Sequence, residues 1–290
     1  MVTEERLTLQ SIPLTTRVLR SGAGSPVLLL HGSPDSAAEW RPVMDALGAS
    51  AACFAPDLPG LGASEEPPSS FDYSRTACAA FLDDLVTSLG IEEPLVLVVH
   101  DIGGVFGIPW AARSLRRLRG IVITNTVIFE RFPWFGVGKI WGRTDPAGRA
   151  FARAMMWQIG WFGGRIFGRA FRRVSPELSA TDLDRMIREF ACDPKSKRST
   201  VRLFRQMIPH PYFDGMDAML REVITHVPVR VVWGLGDPYI PARYARAFPG
   251  LDPEVLPEGG HWIPLSAPTR VAVAVQSILD GVARAASGAS

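Results

Sequence analysis

The stretch LVLVVHDIGG, residues 95–104, decides the fold. Its five leading apolar residues are typical of a buried strand, and the pair Gly103 and Gly104 marks a sharp turn before a helix that we place up to Arg116. Such a turn pushes the side chain at its apex out at the C-terminal end of the strand, where open α/β sheets bind their ligands. Asp101 occupies this apex. The sequence therefore predicts a site centred on an aspartate at the edge of a parallel sheet.

Three other apolar runs end in loops that carry polar groups suited to nucleophilic catalysis. These loops are HGSP at 31–34, GLGDP at 234–238 and EGGHW at 258–262. The first allows the backbone N–H of Ser33 to pair with that of Ile102 as an oxyanion hole beside Asp101. The second offers the carboxylate of Asp237, and the third offers the imidazole of His261. A nucleophile, an acid and a histidine thus follow one another along the chain.

Strand-like and helix-like segments alternate along much of the chain, which predicts an α/β fold with a parallel sheet and helices on both faces. Buried strands are predicted at 26–32, 51–57, 94–101, 120–126, 228–234 and about 253–257. Helices are predicted at roughly 36–47, 71–89, 103–117, 241–248 and 268–284. Residues 131–225 interrupt this alternation with amphipathic helical stretches that hold four of the eight tryptophans. We expect a core built from 1–130 and 226–290, with 131–225 inserted as a helical cap after strand 6.

In these motifs and their order, the chain resembles the α/β-hydrolases of the epoxide hydrolase and haloalkane dehalogenase branch, which use an aspartate as nucleophile. HGSP, HDIGG, GLGD and GGHW match the motifs of that branch, although Val99 is larger than the small residue usual at its position. The resemblance implies an eight-stranded, mostly parallel sheet. It also implies Asp101 as nucleophile, His261 as general base and Asp237 as the acid that orients this base. It implies neither a metal nor an organic cofactor.

The carboxylate nucleophile has a chemical consequence of its own. A carboxylate gains most by attacking an sp³ carbon, which produces an alkyl–enzyme ester. Water activated by His261 and Asp237 is then expected to hydrolyse this ester, with the oxyanion held at Ser33 and Ile102. We therefore expect a hydrolase that opens an epoxide to a vicinal diol.

Two departures from the dehalogenase pattern favour an epoxide over a halide. Dehalogenases commonly carry Trp directly after the nucleophile, and many carry Asn or Glu in the HGxP-like turn, where this chain has Ile102 and Ser33. Epoxide hydrolases usually protonate the alkoxide with two lid tyrosines; Tyr212 matches the second, and His210 or a lid tryptophan N–H replaces the first. Trp141 is expected to line the substrate pocket. A dehalogenase, a natural-product tailoring enzyme and a non-catalytic binding protein on this fold are alternatives.

Composition excludes several other classes of protein. The 290 residues are 47% hydrophobic and 21% charged, which is typical of a globular chain and not of a disordered one. A net charge of +2 gives no reason to expect a nucleic acid or a membrane as partner. Three cysteines without C-x-x-C spacing predict neither a disulfide framework nor a thiolate metal site. With no apolar leader at the N-terminus, we expect a cytoplasmic monomer or homodimer that acts on a small apolar or aromatic substrate.

The charge is distributed unevenly between the two predicted units. Residues 131–225 hold 17 Lys and Arg against 9 Asp and Glu, a net charge of +8, while the remainder carries −6. A basic cap over an acidic core favours docking of the two units with a substrate pocket between them. The cap is therefore where the choice of substrate is expected to be made.

Overall fold

Eight strands form a single sheet in a computed structural model that describes residues 1–134, 136–208 and 211–287. The strands are β1 (Thr3–Thr8), β2 (Thr15–Ser21), β3 (Ser25–Leu30), β4 (Ala51–Pro56), β5 (Leu95–Asp101), β6 (Leu118–Thr126), β7 (Val229–Gly234) and β8 (Glu254–Leu256). Their spatial order is β1-β2-β4-β3-β5-β6-β7-β8. β1 and β2 pair antiparallel, as do β2 and β4, and all other pairs are parallel. The predicted eight-stranded, mostly parallel sheet is confirmed.

Alternate residues of the central strands enter two separate cores, one on each face of the sheet. In β5, Leu97 and Val99 belong to one apolar cluster and Val96 and Val98 to the other. The helices that cover the sheet are α1 (Arg41–Leu47), α2 (Arg75–Ser88), α3 (Gly103–Arg113), α10 (Ile263–Ser266) and α11 (Pro268–Ser287), which we number together with those of the insertion. Burial on both faces explains why β3 and β5 are continuous apolar runs and not alternating ones.

The described residues between β6 and β7 contain helices, turns and loops but no strand. The helices are α4 (Gly136–Trp141), α5 (Pro146–Gln158), α6 (Arg165–Val174), α7 (Ala180–Met186), α8 (Pro194–Met207) and α9 (Met216–His226), with a π-helical turn at Ile187–Ala191 after α7. α9 packs against α3 of the core. The Arg75 guanidinium also donates to the carbonyl of Asp214, just before α9. The end of the insertion is thereby attached to the core beside α3.

Several boundaries differ from the predicted ones for local reasons. The helix predicted at 71–89 begins only at Arg75, because the Ser74 hydroxyl accepts a hydrogen bond from the Ala77 N–H and caps it there. The helix predicted at 241–248 is a 3₁₀ turn over Ala242–Ala247. β1 and β2 had no counterpart among the predicted strands, because polar and charged residues interrupt the apolar pattern of this edge hairpin. Among the described residues, no helix has both the length and the apolar character needed to cross a bilayer.

Candidate active site

Asp101 lies at the apex of the turn between β5 and α3, as the glycine pair predicted. Its φ of +47° is in the left-handed region, which a non-glycine residue adopts only where its surroundings enforce it. The turn is packed so closely against β3 that a Cβ on Gly103 would lie 2.3 Å from the Leu30 carbonyl oxygen. A Cβ on Gly32 would lie 2.7 Å from that of Asp101. The two glycines therefore allow the HGSP loop and the elbow to touch.

One oxygen of the Asp101 carboxylate is already held by a backbone donor. The N–H of Ser33 donates to Oδ2 of Asp101 over 2.9 Å. The hydroxyl of Thr126 at the end of β6 donates to the Asp101 carbonyl over 2.5 Å and fixes the backbone of the turn. Ile102 is the N-cap residue of α3, and its side chain is buried. Its backbone N–H is the group predicted as the second donor of the oxyanion hole. The contact from Ser33 is the one expected of an oxyanion hole.

His261 and Asp237 form a hydrogen-bonded pair. Nδ1 of His261 lies 2.8 Å from Oδ2 of Asp237. Oδ1 of Asp237 accepts from the backbone N–H groups of Tyr239 and Ile240, over 2.7 and 2.9 Å. Burial by itself raises the pKa of Asp237, but the His261 imidazole and the hydrogen-bond donors outweigh burial and hold this pKa below its ordinary value. Asp237 is therefore an ionised acceptor that fixes the orientation of the imidazole.

Asn125 is a member of the site that the sequence analysis missed. It is the penultimate residue of β6, with φ of +30°, and its side-chain amide donates to Oδ2 of Asp237 over 2.6 Å. Its side-chain oxygen accepts from the N–H of Gly234 over 3.1 Å. A signal was available, because Asn125 stands at the C-terminal end of the strand between those that carry Asp101 and Asp237.

Two buried histidines flank the elbow, and the sequence favours a structural role for both. Nδ1 and Nε2 of His100 each lie 3.0 Å from an acceptor, Oε1 of Glu39 and the carbonyl of His261 respectively. Burial lowers the pKa of His100, but the charge and hydrogen bond of Glu39 outweigh it and raise this pKa to about 9. Burial lowers the pKa of His31, whose Nε2 accepts from the N–H of Leu58 over 2.9 Å. His100 is thus a buried cation beneath the loop of His261, and His31 is neutral.

The insertion contributes a carboxylate to the histidine loop. Oε1 of Glu177, between α6 and α7, accepts from the backbone N–H of His261 over 3.0 Å and lies 3.5 Å from that of Trp262. A Cβ on Gly260 would lie 2.2 Å from Glu177 Oε1, so the glycine is required for this approach. The chain position of Glu177 gave no sign of this contact.

A cavity of about 650 Å³ lies between the sheet edge and the helices of the insertion. Asp101, Ser33 and His261 line it from the core, and apolar side chains of α4, α5, α6 and α8 line it from the insertion. Trp141 is among them, and within the described part of the chain its buried indole N–H has no hydrogen-bond partner. The buried indole N–H of Trp262, from the histidine loop, has none either. A buried donor without an acceptor is costly, and these two N–H groups are among the unsatisfied polar groups of the side chains around the cavity.

The structure does not place Tyr212 in this cavity, which corrects its prediction as the catalytic acid. Its hydroxyl donates to the carbonyl of Tyr73 over 3.2 Å, on a buried side chain that does not line the cavity. The tyrosine that lines the cavity is Tyr239, two residues after Asp237. Its ring centroid lies 5.0 Å from that of His261, and its hydroxyl lies 3.3 Å from Oγ of Ser175. His210, the other predicted acid, lies outside the described residues.

Within the described part of the chain, no three His, Cys, Asp or Glu side chains are grouped so as to hold a metal ion. The residues that meet at the cavity floor can instead supply a carboxylate nucleophile, an oriented imidazole and backbone donors. These are the parts of a two-step reaction through a covalent ester.

Comparison with known proteins gives the same picture of the fold. The model of the alpha/beta hydrolase family matches residues 27–275. A cis-3-alkyl-4-alkyloxetan-2-one decarboxylase of Xanthomonas campestris pv. campestris is 28% identical over 266 residues, which cover 83% of each chain. Haloalkane dehalogenase 2 of Mycobacterium bovis is 27% identical over 270 residues, covering 88% of this chain and 87% of the relative.

Among solved structures, the Cif epoxide hydrolase from Acinetobacter nosocomialis aligns with a TM-score of 0.78 at 18% identity, over 96% of this chain and 89% of that one. This likeness concerns the fold alone. The match to the family model extends from β3 into α11 and includes Asp101, Asp237 and His261. The chain therefore belongs to the alpha/beta hydrolase family.

Proposed function

We propose that the protein hydrolyses its substrate through a covalent ester between Asp101 and a carbon atom of an apolar or aromatic molecule. The observation that carries the proposal is the meeting, in one cavity, of an aspartate on a left-handed turn and an imidazole oriented by Asp237. Since a carboxylate nucleophile gains most at an sp³ carbon, an alkylating electrophile is the expected substrate. The apolar walls of the cavity favour an uncharged one.

In the first half-reaction, one oxygen of the Asp101 carboxylate forms a bond to the substrate carbon. The bond from that carbon to the leaving group breaks, and its electron pair stays with the leaving group. Oδ2, which the Ser33 N–H holds, becomes the carbonyl oxygen of the ester. The leaving group gains negative charge and must find a donor in the cavity.

In the second half-reaction, a water molecule gives a proton to Nε2 of His261 and attacks the carbonyl carbon of the ester. Negative charge collects on Oδ2, where the Ser33 and Ile102 N–H groups stabilise it. The loss of one such donor costs about 3 kcal/mol in the barrier of comparable enzymes. The intermediate then expels the alcohol, which takes the proton back from His261. Asp101, which now carries one oxygen from water, then releases its carboxyl proton and is a carboxylate again; this proton replaces the one given to the leaving group, or passes to solvent where the leaving group took none.

For the leaving group, we propose an epoxide oxygen, with Tyr239 as the group that protonates it. An opened epoxide is an alkoxide, and a phenol is a better proton donor to it than an aliphatic hydroxyl. Burial raises the pKa of Tyr239 to about 12, which keeps its hydroxyl protonated at neutral pH. This hydroxyl belongs to a side chain that lines the cavity beside His261. The product is a vicinal diol.

A second candidate follows from the two indole N–H groups of Trp141 and Trp262. Both are buried donors without partners, and both belong to side chains that line the cavity. Such donors suit an anionic leaving group that needs no proton, such as a halide. They also suit the carboxylate released when Asp101 attacks the ring carbon of an oxetan-2-one. Two relatives that match over most of the chain, a haloalkane dehalogenase and an oxetanone decarboxylase, have names that agree with leaving groups of this kind.

Trapping of the ester separates these candidates. His261→Gln leaves ester formation possible and removes the base for its hydrolysis, so the adduct accumulates. The variant is incubated separately with styrene oxide, 1-bromohexane and a cis-dialkyl oxetan-2-one, and the Asp101 peptide is analysed by mass spectrometry. An epoxide or an oxetanone adds its whole mass, whereas the bromide adds only its alkyl group. Asp101→Asn is the control that must stay unlabelled.

A single turnover of the native enzyme in ¹⁸O-labelled water adds a second test of the mechanism. The label is expected in the Asp101 carboxylate, because water attacks the ester carbonyl and not the substrate carbon. If all three probes leave His261→Gln unlabelled and the isotope appears only in the product, the covalent mechanism is wrong.

A further inference from the structure

One face of the insertion exposes an unusual concentration of apolar side chains. We call residues 146–174, which contain α5, α6 and the loop between them, the cap face. Among the described residues, nine large apolar side chains are exposed, and six of them lie on the cap face. The six are Phe151, Trp157, Trp161, Phe162, Ile166 and Val174. Exposed apolar side chains grouped in this way mark an interaction surface.

The same face is uniformly basic. Its 29 residues include six arginines and no Asp or Glu, and all six arginine side chains are exposed. These are Arg149, Arg153, Arg165, Arg169, Arg172 and Arg173. Within the described ranges, none of the six forms an ion pair. Burial and the adjacent charges of Arg149 and Arg153 lower the pKa of Arg205 on α8, which agrees with positive charge left uncompensated here.

The loop between α5 and α6 exposes an aromatic ring to solvent. Phe162 has φ of +53° and is 74% exposed, and Gly163 and Gly164 follow it with positive φ. A bulky residue in the left-handed region costs of order 1 kcal/mol, and here no burial offsets the cost. Trp157, one turn before the loop, is 66% exposed. Both rings are placed where a partner can bury them.

The cap face is continuous with the catalytic cavity. Trp161, Ile166 and Val174 are exposed on this face and also line the cavity that contains Asp101. An apolar molecule that reaches the cap face can therefore pass into the cavity along apolar side chains. The mouth of the cavity and the interaction surface are the same part of the molecule.

From these observations we propose that the cap face docks on an anionic lipid bilayer, and that the cavity receives its apolar substrate from that surface. The acyl chains of such a surface can bury the aromatic rings, and its anionic headgroups can pair with the arginines beside them. A second copy of the chain is a poorer partner, because a two-fold contact would set one arginine-rich face against another. The net charge of the whole chain gives no sign of this partner, because the basic cap face and the acidic core cancel.

Vesicle flotation tests this docking without any knowledge of the substrate. The native protein is mixed with vesicles of phosphatidylcholine alone, or with about a third of phosphatidylglycerol, at about 0.1 M and about 1 M salt. Two variants change the cap face independently: Trp157→Ser/Phe162→Asn removes rings, and Arg169→Glu/Arg172→Glu reverses charge. None of these four side chains lines the cavity. Arg116→Glu/Arg246→Glu, on exposed arginines of the core, is the control with the same charge change.

We expect the native protein and the control variant to float with anionic vesicles at low salt, and flotation to weaken at high salt. Each cap-face variant should partition at least about tenfold more weakly, because one variant removes rings that would enter the acyl layer and the other reverses two charges that would face the anionic headgroups. Equal flotation of cap-face and control variants, or no flotation of the native protein, overturns the proposal. A dimer in solution that Trp157→Ser/Phe162→Asn dissociates also overturns it, because a second copy then covers the face.

Discussion

Val99 and Gly107 together explain how a large side chain fits below a strained elbow. Val99 precedes Asp101 by two residues, a position where the family usually has a small residue. The structure accommodates it because Gly107 of α3 has no side chain. A Cβ at Gly107 would lie 2.7 Å from Cγ1 of Val99, closer than packed carbon atoms approach. The Val99 side chain therefore occupies space that is free because α3 has a glycine at position 107.

Gly107→Ala is accordingly expected to destabilise the fold, although alanine is usually the better helix residue by about 1 kcal/mol. The overpacked methyl group should cost about 1–3 kcal/mol of unfolding free energy, measured by urea denaturation. Gly281→Ala is the matched control: it lies in α11 with nothing within 4 Å of the added Cβ and should stabilise the protein. Val99→Ala combined with Gly107→Ala should recover much of the loss. If Gly107→Ala alone is as stable as the native protein, the two residues are not complementary.

Tyr239 and Tyr212 are expected to respond oppositely to the loss of their hydroxyl groups. Tyr239→Phe should lower kcat for styrene oxide by about 10²–10⁴-fold, the usual contribution of a general acid. Tyr212→Phe should leave kcat unchanged and reduce stability by about 1 kcal/mol, because its buried hydroxyl hydrogen-bonds to the Tyr73 carbonyl and to the Cys78 thiol, away from the cavity. Steady-state kinetics and urea unfolding of both variants are the measurements. The reverse pattern would return the acid role to Tyr212.

The residues predicted from the sequence share one property. Asp101, Asp237 and His261 each follow a strand in a glycine-containing loop, so local sequence is enough to place them at the sheet edge. Glu177 and Tyr212 lie in the helical insertion, where nothing local reports which side chains face the core. The residues that the sheet positions were therefore predictable from the sequence. The residues positioned by packing between distant segments were not.

At the scale of secondary-structure elements, the site depends on three strands that end side by side. β5, β6 and β7 are neighbours in the sheet, and their ends carry Asp101, Asn125 and, three residues after β7, Asp237. The imidazole of His100, one residue before Asp101, joins β5 to the 3₁₀ turn that contains Glu39 and to the loop of His261. The sequence predicted these strand ends from their apolar runs, but not the cross-links between them.

The buried His100 makes the stability of this arrangement depend on pH. Its pKa is about 9 in the folded protein and 6.5 in an unfolded chain. A raised pKa stabilises the folded state fully below pH 6.5, and this stabilisation is lost as the pH rises through 9. We expect the unfolding free energy in urea to fall by on the order of 3 kcal/mol between these pH values. His100→Gln should abolish most of this slope, whereas a variant of the exposed His226, His226→Gln, should retain it. An unchanged slope in His100→Gln would contradict this origin.

At the scale of the whole molecule, buried ion pairs attach the insertion to the core. Arg185 of α7 pairs with the fully buried carboxylate of Asp35. Glu189, in the π-helical turn after α7, accepts from the hydroxyl of Ser36 over 2.6 Å and lies 3.4 Å from the guanidinium of Arg17. The pair of Arg185 and Asp35 follows the predicted contrast between a basic cap and an acidic core, whereas Glu189 and Arg17 meet with the opposite polarity. Which residues form these pairs depends on the packing of the two units and was not readable from the chain.

Arg185→Leu is expected to cost about 3–5 kcal/mol of unfolding free energy, because it leaves the charge of Asp35 buried without its partner. The double variant Asp35→Asn/Arg185→Leu should recover much of this loss. Arg143→Leu breaks the exposed pair with Asp145 and should change the unfolding free energy far less, because water screens and solvates both charges. Urea unfolding of the three variants is the measurement. Equal losses for Arg185→Leu and Arg143→Leu would show that the buried pair does not hold the insertion.

The contact of Glu177 with the histidine loop links the movement of the insertion to the chemistry. Glu177 belongs to the insertion, yet it accepts from the backbone N–H of His261, the residue proposed to activate water. If the insertion lifts to exchange substrate for product, this loop loses its acceptor and the imidazole loses part of its support. Exchange and hydrolysis then occupy alternating states of one cycle. The proposed ester intermediate would then be hydrolysed only while the insertion is closed over the cavity. Movement of the insertion, and not His261 alone, would set the rate of turnover.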